Sequence, residues 1–390
     1  MLGRTNLLSV PASESTELVF EQKFIVTTTS KDIIKLENIN NVFFAYSMDE
    51  SVLYGSDIEN LKYLMKDGTN FKAKHTIFKD GFYYFATTER INGKAVVYKT
   101  EDFNSYTEIT LKTGTSKNHY IVHGLFLRSN GEIVILVQES ETDSNYVDLY
   151  LLMLETLEGY SETGANFLEI SGVSKSIYST SATATKMKKD RIYTSISSSS
   201  TTSASTNYVI TLDGTAASQQ AQSLYSYFAC DYYFRFQTNK LYYSINGIEY
   251  VAINYPEMEN LTCLAIFEYD GCIANVFSYT VDGEKITKLA YSSTPKGLAD
   301  AVADAVHVDF EYTFNGNASV YKDDYVYIGS TGGLIIKAKI TASDAIAPEV
   351  VVLKALSAKE ALSKAKAYTE NLFSTLENRI KALEESASNT

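Results

Sequence analysis

The sequence predicts an all-β fold, a β-propeller of about seven blades, followed by a long C-terminal α-helix that forms a trimeric coiled coil. Three observations carry this expectation. A turn-and-strand theme recurs through residues 17–347. Its strands are built of β-branched and aromatic residues, with 30 Tyr and 19 Phe in the chain and little helical periodicity between them. The last forty or so residues then change composition, with no glycine after Gly333 and no proline after Pro348. The organisation read from this is an N-terminal arm over 1–16, a propeller over 17–347 and a coiled-coil helix over 348–390.

The arm lacks periodicity and ends in Pro11 and a polar run, so it is read as a disordered leader or a segment that orders on a partner. Regular β pattern starts at Glu17. In the repeat, a turn of the Lys-Asp-Gly type leads into an aromatic strand, as at Lys79, Asp80 and Gly81 before Phe82, Tyr83 and Tyr84. Further units start at Ser129, Lys189, Thr238, Tyr269 and Lys322, and a degenerate first copy lies around Asn41. The uneven spacing of roughly 30 to 60 residues is near the propeller-blade period. The Ser/Thr tract 195–206 is read as a hairpin tip, and 295–307 as a short helix in a loop between blades. A ring needs its first and last blades joined, and the last unit is short of a strand. Residues 18–26 are therefore expected to complete the blade that contains 325–328.

The stretches 243–250, Tyr-Ser-Ile-Asn-Gly-Ile-Glu-Tyr, and 98–106, which holds Thr100, Asp102 and Tyr106, resemble the Asp-box-like turns of sialidase-type β-propellers. In that family a Ser/Thr-x-Asp turn precedes an aromatic, usually Trp, that staples the hairpin. Tyr250 and Tyr106 stand one position early, and Asn246 replaces the Asp. The resemblance implies architecture and not activity. The alternative architecture is a β-sandwich or a pair of them.

In the C-terminal segment, residues 356–385 are rich in Ala, Leu, Lys and Glu, all good helix formers. Leu362, Thr369, Leu376 and Leu383 fall seven apart, and Lys366, Phe373 and Ile380 form the complementary row. These rows take heptad positions d and a. Arg379, Ile380, Leu383 and Glu384 match a pattern that resembles the trimerisation motif of parallel coiled coils. In it Arg379 pairs with a glutamate of a neighbouring chain while its stem covers the seam. The expected oligomerisation residues are thus Leu362, Phe373, Leu376, Arg379, Ile380, Leu383 and Glu384. The alternative is an amphipathic helix folded back on the propeller.

The search for chemistry returns little, and the residues weigh against an enzyme. A formal net charge of −13 argues against nucleic-acid binding, and no apolar run is long enough to insert in a membrane. His119 and His123 lie four apart in an extended segment, about 13 Å from each other and too far to share one metal. His75 and His307 complete the histidines. Cys230, Cys263 and Cys272 form no CxxC pair and read as small buried hydrophobes. No cofactor or metal is expected. A sialidase-type site requires three converging arginines, and Arg90, Arg128, Arg191 and Arg235 are the ones available outside the arm. Other glycosidases need two carboxylates, for which Asp231, Glu268 and Asp309 are candidates. Tyr232, Tyr233 and Arg235 form the candidate ligand-binding cluster.

A propeller with an arm and a trimeric stem resembles phage tail-fibre and baseplate receptor-binding proteins. The resemblance implies a homotrimeric structural component of a virion. It is made in the bacterial cytoplasm without a signal peptide, and contacts other tail or baseplate proteins and a host-surface glycan or protein. The other readings are a propeller-fold hydrolase of a bacterial surface polysaccharide and a bacterial scaffold propeller.

Overall fold

A computed structural model describes residues 17–91, 94–111, 119–140, 147–157, 167–171, 179–180, 185–197, 205–218, 226–237, 239–302, 305–308 and 314–343. The arm 1–16 and the coiled-coil residues, Leu362 to Glu384 among them, lie outside the described residues. The chain divides into two compact units, and the propeller is the one formed by Leu18–Val308 and Tyr312–Ala342.

The described strands form seven antiparallel sheets of four or five strands, together with one small hairpin. Blade I runs through Ile33–Ile39, Val42–Ser47, Val52–Gly55 and Lys62–Tyr63. Blade II is His75–Lys79, Phe82–Ile91, Lys94–Thr100 and Thr107–Thr110, and blade III is His119–Leu127, Ile133–Ser140, Val147–Leu154 and Phe167–Glu169. In blade IV the first strand is broken into Ser179–Thr180 and Lys186–Lys188, both paired with Arg191–Ser197. Ser205–Thr211 and Ala216–Ser218 complete it. Blade V is Ser226–Ala229, Tyr232–Gln237, Lys240–Ser244 and Val251–Ile253. Blade VI is Glu259–Tyr269, Cys272–Val281, Glu284–Ser292 and Val306–His307. Blade VII takes Phe314–Lys322, Tyr325–Ser330 and Leu334–Ser343 from the end of the chain and Glu17–Val26 from its start.

The ring is therefore closed as the sequence led us to expect, by the first strand docking beside Leu334–Ser343. The seam is tied by Thr27, whose amide N and Oγ1 both donate to the Gly333 carbonyl, at 3.1 and 2.7 Å. Gly333 has φ +76°, and a Cβ there would lie 1.8 Å from the Thr29 carbonyl oxygen, so the close approach of the two chain segments requires glycine.

The recurring turns join the first and second strands of each blade. Two-residue hairpin connections whose twist matches that of the strands need φ > 0 at both central residues, which Asp and Gly tolerate. Asp80 and Gly81 (51° and 86°), Asp270 and Gly271 (47° and 71°) and Asp323 and Asp324 (52° and 65°) meet this requirement. The expectation slipped by one hairpin in blade V. The turn at Asn239 joins its second and third strands, and the first hairpin turns at Cys230, with φ 51°. A cysteine at a position that favours Asn, Asp or Gly hid the signal.

Two further expectations are refined. The helix is short, Gly297–Ala301, and lies inside blade VI between its third and fourth strands, not between blades. Its Leu298 is fully buried among Ile266, Phe277 and Ala290. The two ends of the Ser/Thr tract are paired antiparallel strands, with Ser197 opposite Ser205, and its centre, 198–204, lies outside the described residues.

The Asp-box-like turns form as hydrogen-bonded loops after the third strand. Asp102 Oδ1 accepts from the amides of Asn104 and Ser105 at 2.9 and 3.0 Å, while the Phe103 amide donates to Thr100 Oγ1 at 3.0 Å. In blade V, Asn246 Oδ1 takes the amides of Ile248 and Glu249, both at 2.9 Å, and the Gly247 amide donates to Ser244 Oγ at 2.8 Å. Blade IV repeats the device with Asp213 accepting from the Thr215 amide at 3.0 Å. The staple is Tyr in place of Trp: Tyr106 stacks on Phe71 at 5.2 Å, and the Tyr250 and Tyr193 hydroxyls bond at 2.5 Å.

Candidate functional site

First strands of neighbouring blades pack on one another, blade I on VII and II, III on II, and VI on V and VII. The strands of five blades line a cavity that mixes charged and apolar side chains. Its volume is about 440 Å³, and it is lined from blades I, II, III, IV and VII by residues that include Lys35, Glu37, His75, Phe126, Lys186 and Ser319.

Lys35 is 8% exposed, an uncommon burial for a lysine, and it is fully engaged. Its Nζ donates to Glu37 Oε1 at 2.9 Å, to the Lys74 carbonyl at 3.3 Å and to His75 Nδ1 at 3.4 Å. It also lies 4.7 Å over the ring of Tyr46. The Tyr46 hydroxyl donates to Thr76 Oγ1 at 2.6 Å. Burial and the Glu37 charge raise the Tyr46 hydroxyl well above its ordinary range.

An ammonium can only donate, so the Lys35 contact assigns the acceptor role to His75 Nδ1 and places the ring proton on Nε2. His75 is 2% exposed, with Phe126 edge-on at 5.2 Å. Burial first, and the Lys35 charge next, hold its pKa well below the ordinary value. His75 Nε2 and Glu37 Oε2 are both buried, with the His123 backbone beside the imidazole and the Tyr46 hydroxyl beside the carboxylate. Lys186, from the broken strand of blade IV, adds a second ammonium to the wall, lowered to about 8 by burial and by the Lys35 charge. At about 8 it stays mostly protonated at neutral pH.

These protonation states predict a pH dependence. In the unfolded chain His75 takes up a proton below about 6.5, whereas in the fold it stays neutral to lower pH. The unfolded state binds more protons in that window, so stability falls as pH drops below about 6.5. Melting measured at pH 7 and pH 5 should show a larger loss for the wild type than for His75→Gln. The excess has a limit of about 2 kcal/mol at pH 5, set by the unfolded pKa. Equal losses in the two proteins would refute the assignment of a buried neutral His75.

The residues singled out in the sequence are placed elsewhere. Tyr233 is 1% exposed and works in the core, stacked on Tyr193 at 5.1 Å with its hydroxyl donating to the Lys188 carbonyl at 3.0 Å. Tyr232 packs edge-on to Tyr243 at 6.0 Å, against the core shared by blades V and VI. Arg235 covers the Tyr250 ring at 4.4 Å. The arginines do not converge. Arg128 joins blades III and IV, with Nη2 2.7 Å from Asp190 and Nη1 on Glu132, and Arg191 donates to the Asn246 carbonyl of blade V. The Arg90 side chain lies outside the described residues. Among the candidate acids, Glu268 accepts from the Cys230 amide at 2.9 Å, Asp231 meets Lys189 at 3.4 Å on the surface, and Asp309 is not described. His123 sits at a bulge and bonds Gln138 through Nε2. Among the described residues no group of three or more His, Cys, Asp or Glu could hold a metal ion.

No protein-family model matches the chain, and no curated protein matches it. Solved structures do. Puromycin hydrolase aligns with a TM-score of 0.51 at 8% identity, over 81% of this chain and 54% of that one. A point mutant of the same enzyme complexed with PGG gives 0.51 at 7% identity, over 83% and 55%. A xyloglucanase from Xanthomonas campestris gives 0.46 at 8%, over 81% and 53%. The chain spans about half the length of these enzymes. At such identity the likeness is one of fold alone, and the fold is a seven-bladed β-propeller.

Proposed function

We propose that the chain is a non-catalytic, homotrimeric appendage of a phage or phage-tail-like particle, a tail fibre or baseplate component. It would present three propellers to a host surface or to neighbouring virion proteins. What supports this reading is the closed propeller ring together with the heptad rows that follow it in the sequence. Strands at the two ends of the propeller sequence are neighbours in blade VII, and the heptad rows of 356–385 follow shortly after the last of them. Three weak contacts made together would then bind orders of magnitude more tightly than one. The described arginines Arg128, Arg191 and Arg235 serve blade contacts and supply no clamp for a substrate carboxylate. A glycan hydrolase is the second reading, and the cavity offers it one carboxylate, Glu37, where that chemistry uses two.

The test is the mass of the purified protein in solution. The full chain is expected to be a trimer. Leu383→Asp, which puts a charge in the seam at a cost of several kcal/mol, should give monomers with an unchanged β spectrum. A monomeric wild type at micromolar concentration, or a trimer indifferent to Leu383→Asp and Ile380→Asp, would overturn the proposal.

A further inference from the structure

The outermost strands of blades I to VI have two to four residues, and that of blade VII, Glu17–Val26, has ten. One edge of this strand pairs with Leu334–Ser343, and among the described residues no strand pairs with the other. Short edge strands keep sheets from pairing with other chains, whereas this edge is long and rich in Val, Ile and Phe. Phe24 and Val26 stand on the same face of it and are 39% and 75% exposed.

The order of residues along the strand defines what fits its edge. From 18 to 26 it reads Leu-Val-Phe-Glu-Gln-Lys-Phe-Ile-Val, which is symmetric about Gln22. Two copies of one strand, antiparallel about a two-fold axis perpendicular to the sheet, place residues of one face opposite each other, so the axis must pass through a residue position. With the axis at Gln22, Phe20 opposes Phe24, Val19 opposes Ile25, Leu18 opposes Val26 and Glu21 opposes Lys23, each pair occurring twice. Moving the axis to position 21 or 23 sets Glu on Glu or Lys on Lys, which is destabilising. Moving it to 20 or 24 sets a charge opposite Val or Ile. The charges around Lys23 favour the same register. Its side chain is 65% exposed, and it shares one carboxylate, Glu59, with Lys337, at 3.1 and 3.0 Å. A glutamate opposite Lys23 supplies two ammonium groups with a second acid.

We propose that blade VII pairs edge to edge with blade VII of a second copy, the two Glu17–Val26 strands running antiparallel about a two-fold axis at Gln22. The contact is isologous, so each edge covers the other and growth stops at a pair. It is one strand wide, smaller than the roughly 1,200 Å² of a stable complex, and so forms at about 100 µM and above and leaves masses at micromolar concentration unchanged. It belongs to the ring and does not depend on the trimeric reading.

Sedimentation velocity at about 10 and 500 µM tests it on full-length Leu383→Asp, in which stem association does not mask that of the rings. Monomers are expected at the lower concentration and dimers at the higher. Lys23→Glu and Glu21→Lys each oppose like charges and should weaken the dimer tenfold or more. The two together reverse the pair and should restore it, although the Lys23 contact with Glu59 is still lost, which separates pairing from damage within the chain. Gln22→Cys lies on the axis and should cross-link to itself when oxidised glutathione is added, two thiols giving one disulfide and two molecules of reduced glutathione, with peptide masses locating the bond. Val19→Cys, opposite Ile25, should not. Melting curves report whether each variant folds. A protein that stays monomeric at 500 µM would overturn the proposal. So would a dimer indifferent to the charge reversals, or Val19→Cys cross-linking as readily as Gln22→Cys. If Leu383→Asp remains a trimer, the stem reading falls and the edge does not, and the cross-link at position 22 decides.

Discussion

Removing residues 1–27 is expected to cost more than half of the molecule's stability and to leave a protein that aggregates, whereas removing 1–16 leaves the melting temperature nearly unchanged. The strand Glu17–Val26 is the outer member of blade VII, and without it Leu334–Ser343 becomes an unpaired edge. The same deletion removes Ile25, which is 6% exposed and packs with Ile33, Phe43, Tyr327 and Ile335 across the seam between blades I and VII. It also removes both Thr27 hydrogen bonds to Gly333. Total stabilities of proteins are about 5–15 kcal/mol, so losing a strand, its core residue and its seam contacts takes a large share. Size-exclusion chromatography and thermal melts of 17–390 and 28–390 provide the check. A soluble 28–390 protein with a cooperative melt within a few degrees of the full chain would show that the ring does not depend on its N-terminal strand.

Phe85→Ala is expected to destabilise by about 3–5 kcal/mol, the cost of a large cavity in a packed core. Phe85 is fully buried at the contact between blades I and II. Its ring lies 5.3 Å from Phe71, 5.8 Å from Phe44 and 6.5 Å from Phe103, all edge-on. Such rings interlock, and backbone fixed in two separate blades cannot close over the space the side chain leaves. The melting temperature should fall by roughly 5–15 °C. Met48→Ala, at a side chain 69% exposed, should change it by no more than about 0.5 kcal/mol of stability. A loss of less than 1 kcal/mol at Phe85 would mean that the blades are not packed as described.

Phe85 also shows how the sequence could be read. The run 82–86 alternates, Tyr84 joining the core between blades II and III and Phe85 the one between I and II. Both faces of a blade strand are buried, so the pattern is continuously aromatic and apolar, and strand character is legible while facing is not. The turns were legible for a different reason. Positive φ at both central residues favours Asp, Asn and Gly, and four of the seven first hairpins carry that mark at both positions, Asn40–Asn41, Asp80–Gly81, Asp270–Gly271 and Asp323–Asp324. Blade III turns through a longer loop at Gly131, blade IV has Lys189 before Asp190, and the turn at Cys230 carries no such mark.

The candidate site was hidden for want of a ring axis. Lys35, Glu37 and His75 occur in KLE and KHT stretches that a sequence reading takes for a solvated strand face. Alternation of Lys35 and Glu37 about Leu36 places the charges on one face, and this was the available signal. Which face of a first strand looks inward is set only when seven blades close. The Tyr232–Arg235 cluster meets the same limitation, because tyrosines suited to a ligand are equally suited to the contact between blades IV and V, where Tyr233 meets Tyr193. The sequence by itself determined what depends on near neighbours: the strands, the Asp-rich hairpin turns, the Asx-type loops at Asp102 and Asn246, and the need for a closing strand at the N-terminus. Tertiary structure alone decided what depends on residues far apart in the chain. It joined Thr27 to Gly333, turned Lys35 from a surface lysine into a buried one, and left Glu37 and His75 facing one cavity, because burial and partners come from strands that meet only when the ring is complete.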